Sequence, residues 1–384
     1  MQTVNFLEQD YSKIIIFLVL KEKNMRNINL SIEKTSKSNI DSIDFKNLVF
    51  GRHFSDHMFV ADYYGGEWHD FRIIPFQDFS LHPATSALHY GQSLFEGLKA
   101  ELDPNGDPII FRPEKNLERL NKSAFRMAMP SIPKEVFMTA LETLIQLDKA
   151  FIPSEPLSSL YIRPFMFATE KYVGIRVAES YKFCIFTSPV GAYYSKPVRV
   201  FLSEEYVRAA PGGVGAAKAA GNYGAAMMPL QMIQKLGYDQ LLWLDGVHHK
   251  YIQEIGTMNI FFLIDGVLVT PELTKGTILH GITRDSLITL AKDEGVKVEE
   301  REISVDELVE AHNTGKLQDM FGAGTAAVLS HIGTFHYRGV DYDLPAVESR
   351  TISNKLKERL SNIKSGIETD KFGWVHRLEV QQLA

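Results

Sequence analysis

The stretch GGVGAAKAAGNYGAAMM, from Gly212 to Met228, carries one charged side chain, Lys218, among glycines, alanines and methionines. Lysine is rarely buried without a partner, because an ammonium taken out of water loses its solvation. A structural lysine normally sits on a solvated face among other charges. Here the neighbours are too small to cover the side chain and too apolar to pair with it, so it reaches into a cavity that the small residues leave open. Such a dry setting disfavours the ammonium and lowers the pKa of the amine, which prepares a nucleophile able to form a Schiff base with an aldehyde.

The surrounding chain is that of an ordinary globular protein. It has 384 residues, 45% hydrophobic and 23% charged, enough for two domains with sizeable cores. The net charge of -6 comes without a long basic block, which argues against nucleic acid or an anionic membrane as partner and for small molecules. One cysteine, Cys184, excludes an intrachain disulfide framework and fits a reducing, cytoplasmic setting. The apolar run IIIFLVL, Ile14 to Leu20, is far shorter than the roughly 20 residues a bilayer span needs, and no small-residue cleavage site follows it. Residues 21–46 are polar and aperiodic, so residues 1–46 read as a flexible N-terminal extension.

Residues 47–190 read as a small α/β domain. In RPEKNLERLNKSAFRMAM, Pro113 falls in the first turn of a helix whose Leu117, Leu120, Ala124 and Met127 share one face. KEVFMTALETLIQLDKA repeats the design with Phe137, Leu141, Leu144 and Leu147. SSLYIRPFMFA and YKFCIFTSPV read as strands, and period-two alternation puts Tyr161 and Arg163 on one face. GAYYSKP, within an interdomain loop at 191–200, leads to a larger domain over 201–384. There LLWLD, YIQEIG and NIFFLIDGVLVTP read as strands, the last a hairpin turning at Asp265-Gly266, and ITRDSLITLAKDEG as a helix closed by Gly295.

Several chemistries fail on spacing. GGVGAAKAA is no phosphate-binding P-loop, since Ala219 follows Lys218 where Ser or Thr is needed. FGAGTAA, Phe321 to Ala327, matches G-x-G-x-x-A, but strands follow it instead of the helix a dinucleotide site requires. His53 and His57 lie in an extended segment, and His248-His249 reads as a solvated turn, so no metal site is expected. No G-x-S-x-G elbow is present.

A Schiff-base lysine suits pyridoxal phosphate, which needs a carboxylate for its pyridine nitrogen, a donor for its phenolate and an anion site for its phosphate. Glu254, flanked by apolar strand residues, supplies the first. Tyr223, five residues after Lys218, supplies the second. The Gly-Ile-Thr turn opening the helix at LHGITRDSL, with the GAGT loop ending at Thr325, supplies the third.

LHYGQSLFEGLKA, FRPEKNLERL, YIRP, PVGAY, GGVGAAKAAGNYG, WLDG, EIGTMNIF and GAGTAA stand in this order along the chain. Together they resemble the branched-chain amino-acid aminotransferases, class IV aminotransferases of pyridoxal-phosphate fold type IV. The resemblance runs from about Leu48 to near the C-terminus, and LVFGRHFSDHM is similar to the subgroup that includes the animal enzymes. It implies a two-domain α/β fold, D-amino-acid-aminotransferase-like, with a smaller N-terminal domain and a larger C-terminal domain built on a barrel-like sheet. The implied activity is transamination of L-leucine, L-isoleucine and L-valine with 2-oxoglutarate by a cytoplasmic homodimer.

By the same resemblance Lys218 holds the cofactor and moves the substrate α-proton. Arg119 with the amides of Ile282 and Thr283 and the Thr325 hydroxyl holds the phosphate, and Arg112 ranks below Arg119 for that role. Phe50, Tyr90, Phe95, Tyr161, Arg163, Tyr193, Thr257, Ala326 and Ala327 form the substrate pocket, with Arg163 meeting the side-chain carboxylate of glutamate. Ile175 reaches the partner subunit's pocket. Ala220 and His280 depart from the usual glycine and proline, and Ala327 and Ser330 replace the Cys-x-x-Cys pair of the animal subgroup. A D-amino-acid transaminase, an aminodeoxychorismate lyase or an inactive cofactor-binding homologue are the alternatives of the same fold.

Overall fold

The computed structural model describes residues 28–155, 157–191, 196–326 and 328–378. In its first half run β1 (Ser31–Ile32), β2 (His57–Tyr64), β3 (Glu67–Pro75), α1 (Ser86–Tyr90), β4 (Ser93–Phe95), β5 (Leu98–Leu102) and β6 (Pro108–Phe111), then α2 (Pro113–Arg126), α3 (Lys134–Leu147), β7 (Ser159–Ala168) and β8 (Tyr181–Val190). The second half holds β9 (Val198–Ser203), α4 (Ala220–Gly224), α5 (Met227–Lys235), β10 (Gln240–Leu244), β11 (Ile252–Ile255), β12 (Met258–Ile264) and β13 (Val267–Thr270). After them come α6 (Ile282–Asp293), β14 (Val298–Glu300), α7 (Val305–Asn313), β15 (Leu317–Gly324), β16 (Val328–Tyr337), β17 (Val340–Asp343), α8 (Thr351–Lys364) and β18 (Val375–Arg377).

The first sheet runs β1-β3-β2-β8-β7-β5-β6-β18, with β4 on β7. Helices α2 and α3 cover one face of it, burying Leu117, Leu120 and Ala124 from one and Phe137, Leu141 and Leu144 from the other against Phe59, Ile162 and Phe183. The second sheet runs β11-β10-β9-β16-β15-β12-β13-β14, and a further β11–β12 pairing joins the ends of six of these strands into a closed barrel. Closure removes free edges there. Val200, Leu242, Ile260 and Phe335 belong to one apolar cluster of this barrel, while Leu287 and Leu290 of α6 pack with Leu356 and Leu360 of α8 in another. Asp265 and Gly266 both have positive φ, 50° and 76°, as the two-residue turn between β12 and β13 requires.

Three features differ from the sequence reading. Residues 28–46 are not a loose lead-in: β1 pairs in parallel with β3, and Ile28, Leu30, Ile40 and Ile43 pack against the first core. Their apolar residues are too sparse to show a period, yet each finds a place on a core already formed. Helices α7 and α8, which the sequence reading did not place, stand among the strands that follow α6. Finally, β18 leaves the second half and pairs with β6 of the first sheet, so the span 201–384 does not belong to one sheet. The apolar run at 14–20 lies outside the described residues, among which no helix is long and apolar enough to cross a membrane.

Candidate active site

Lys218 lies in the turn ahead of α4, between the two sheets. Its backbone is pinned from the first half: Ser123 Oγ of α2 accepts its N–H at 3.0 Å, and its carbonyl accepts the Phe95 N–H of β4 at 3.2 Å. The next residue, Ala219, bridges to Leu94. Small side chains in this segment permit that approach. The amine then extends to the Tyr223 hydroxyl, Nζ to Oη 2.8 Å, and lies 4.3 Å from the centre of the Phe95 ring. Burial lowers its pKa from 10.5 to about 8, with the positive charge of Arg119 adding to the effect. Burial likewise pushes the Tyr223 phenol up to about 12.

The amine faces a cavity of about 220 Å³ whose lining includes Phe50, Phe95, Tyr161, Arg163, Thr257 and Ala326. Arg119, Ile282, Thr283 and Thr325 are in the same lining. Gly97 is required here, because a Cβ would stand 2.2 Å from the Tyr161 hydroxyl. The rings of Phe50 and Tyr161 meet edge-on at 5.0 Å, forming an apolar wall. Arg163 donates to the Tyr161 hydroxyl at 3.0 Å and covers the Phe95 ring, while its Nε is buried with no hydrogen-bond partner among the described residues. An unpartnered guanidinium nitrogen against a cavity suits an anionic ligand.

Two buried carboxylates organise the polar floor. Glu96 takes two hydrogen bonds from Arg119, 2.7 Å from Nε and 2.8 Å from Nη2, and a third from Asn116 at 2.8 Å. Burial alone would raise its pKa, but Arg119 outweighs that and the net shift is downward. Arg119 also donates from Nη1 to the His280 carbonyl at 3.1 Å. Of its five N–H groups, one on each terminal nitrogen has no acceptor among the described residues. Glu254 accepts from Arg208 Nε at 2.8 Å and from the Leu279 N–H at 2.6 Å. Burial raises its carboxyl despite the opposing charge of Arg208.

Helix α6 begins beside this floor. Gly281 occupies its N-cap and no side chain caps it, so the amides of Ile282 and Thr283 have no intrahelical acceptor and offer an anion site. Glycine is needed at 281, since a Cβ would meet Asn259 Oδ1 at 1.9 Å. Amine, phenol, buried carboxylate, guanidinium and free helix amides are the donor set that pyridoxal phosphate needs, and the cavity brings all but the carboxylate to its surface. Glu254 is 2% exposed and sits behind Asn259 and Leu279.

Other expected residues fall elsewhere. Tyr90 does not line this cavity; it is 42% exposed and donates to the Val173 carbonyl, beside the loop bearing the largely exposed Ile175. The five-residue α1 ends there, capped by Gly91 in the left-handed conformation. Tyr193 and Ala327 lie outside the described residues. Glu96 and Arg208 were not foreseen. Glu96, between Phe95 and Gly97, carries the same signal that singled out Glu254, a carboxylate among apolar neighbours; Arg208, ahead of AAPGGVG, is a lone cation before small residues, as Lys218 is.

The lysine held between a barrel and a flanking sheet, facing helix amides, defines the class. Residues 93–325 match the class IV aminotransferase family model, and the chain belongs to that family. It is similar to branched-chain-amino-acid aminotransferase 2 of Bacillus subtilis, 45% identical over 351 residues that cover 90% of this chain and 96% of the relative. Among solved structures it is similar to the branched-chain amino acid aminotransferase of Escherichia coli, with a TM-score of 0.69 and 28% identity over 84% of this chain and 99% of that one. The branched-chain aminotransferase of the thermophilic archaeon Thermoproteus uzoniensis, solved with norvaline, aligns with a TM-score of 0.69 and 25% identity over 84% of this chain and 100% of the other.

Proposed function

We propose that this enzyme transfers the amino group of L-leucine, L-isoleucine and L-valine to 2-oxoglutarate, giving the branched-chain 2-oxo acids and L-glutamate, with pyridoxal phosphate as cofactor. The observation that carries the reading is the position of the Lys218 amine, between an aromatic wall that suits a branched aliphatic side chain and a polar floor that suits a phosphorylated cofactor.

When bound, pyridoxal phosphate supplies an electron sink for negative charge developing at the substrate α-carbon. Lys218 Nζ would hold the cofactor and would move the α-proton of the substrate. Its depressed pKa keeps much of it neutral and able to accept that proton near pH 8. Tyr223 would hold the phenolate oxygen, and it orients the amine. Glu254 would keep the ring nitrogen protonated, while Arg119, the Ile282 and Thr283 amides and Thr325 would hold the phosphate. Phe50, Phe95 and Tyr161 exclude water and bury the substrate side chain. Arg163, in the cavity lining, would receive the side-chain carboxylate of glutamate, so that one pocket serves both half-reactions.

The enzyme works in the cytoplasm as a homodimer in this reading. Val173, Ile175 and Val177 form an exposed apolar loop, and the Tyr90 hydroxyl ties to it, which suits closure over the partner subunit's cavity.

The test is a screen of single half-reactions, following the absorbance of the bound cofactor with each amino acid alone. Each missing methylene in an apolar pocket costs about 1–3 kcal/mol of transition-state binding, so leucine, isoleucine and valine should exceed alanine strongly and their D-enantiomers should be inert. Preference for D-alanine or D-glutamate would indicate a D-amino-acid transaminase. No conversion by any amino acid would indicate the lyase or an inactive homologue.

A further inference from the structure

Arg112 does not enter the cavity, yet it is built into the wall behind it. It caps α2 in the left-handed conformation, φ 50°, which a non-glycine residue keeps only where its surroundings hold it. Its N–H donates to the Trp374 carbonyl at 2.7 Å, and its guanidinium lies 5.1 Å from the centre of the Trp374 ring. From this clamp Nη1 crosses to α6, reaching Ser286 Oγ and Asp285 Oδ2, each at 2.7 Å. Ser286 is fully buried, and its hydroxyl donates in turn to the Ile282 carbonyl at 2.9 Å.

That carbonyl belongs to the same planar peptide unit as the Thr283 N–H, which points the opposite way. Fixing one end therefore aims the other. We propose that Arg112 is a positioning residue for the phosphate of the cofactor: the chain Arg112 to Ser286 to Ile282 orients the Thr283 amide, and Trp374, just before β18, holds Arg112 in place. The inference rests on the cofactor reading above and adds to it a second arginine that never touches the ligand.

A structural role alone would weaken every ligand alike, whereas an orienting role acts on the phosphate. The experiment titrates the full-length, cofactor-stripped chain with pyridoxal phosphate and with pyridoxal, comparing the parent with Ser286→Ala, Arg112→Met and the double variant. Ser286→Ala removes one hydroxyl from a site that keeps Arg112, Trp374 and the helix. Each single change is expected to weaken pyridoxal phosphate about tenfold and leave pyridoxal within about twofold. The double variant should lose no more than the worse single, because the two act in series. Equal losses for both ligands, or no loss for either, would overturn the inference. A parent that does not favour pyridoxal phosphate over pyridoxal would instead overturn the cofactor reading on which it rests.

Discussion

Glu254 and Arg208 form a buried ion pair, Oε2 to Nε 2.8 Å, with neither side chain more than 8% exposed. Arg208 also donates to the carbonyls of Thr277 at 2.9 Å and Gly215 at 3.2 Å, so it ties the Lys218 segment to the strand that bears Glu254. The pair opposes the rise that burial imposes on the carboxyl.

Arg208→Gln should therefore cost about 3 kcal/mol of stability, the usual penalty for orphaning one partner of a buried pair. The Glu254 carboxyl should rise further and take up a proton at higher pH, moving the acid limb of the pH–rate profile upward. Denaturant unfolding and kcat against pH check the two effects. A profile that stays in place would show that Glu254 is held by Leu279 alone.

Lys218 gives the cofactor-free chain a defined pH dependence. Its folded pKa, about 8 against an ordinary 10.5, lies below the unfolded value. Between those limits the unfolded chain binds a proton that the folded chain does not, so stability rises with pH across the window and the contribution is constant below it. Lys218→Met should abolish that slope. The rate of cofactor capture follows the neutral amine and should rise about fivefold from pH 7 to 8, levelling above 9. Borohydride reduction and peptide mapping should place the cofactor on Lys218.

Removal of Arg163 separates the two substrates. Arg163→Ala should raise KM for 2-oxoglutarate at least about tenfold and change that for leucine by less than about twofold, because only the former has a second carboxylate for a guanidinium in the cavity lining to meet. Equal losses would assign the residue to packing against Phe95 and Tyr161.

Activity should resist mild peroxide. Cys184 is fully buried within β8, and burial pushes its thiol far above the ordinary range, leaving no thiolate to oxidise. Reversible inactivation would contradict this.

Much of the site was legible because its residues carry signals out of keeping with their surroundings. Lys218 among alanines and Glu254 among strand apolars both proved to be charged groups buried beside one cavity, and the alternation that paired Tyr161 with Arg163 appears as a hydrogen bond between them. What stayed hidden was which charges meet. Glu96 engages Arg119 across 23 positions and Arg208 engages Glu254 across two helices and a strand, and no local period encodes such pairings. The placing of residues 28–46 was hidden for a related reason: Thr35 donates its N–H to His57 Nε2 at 2.9 Å, a tether that depends on β2 being present.

The return of β18 to the first sheet sets an order of events. Phe111 meets its partner Val375 only after the whole barrel sequence has been made, and a contact so distant along the chain forms late and slowly. Until then β6 is a bare sheet edge, open to pairing with another chain. The same late segment brings Trp374 to Arg112, so a nascent protein acquires its protection against aggregation and its clamp on Arg112 in one step.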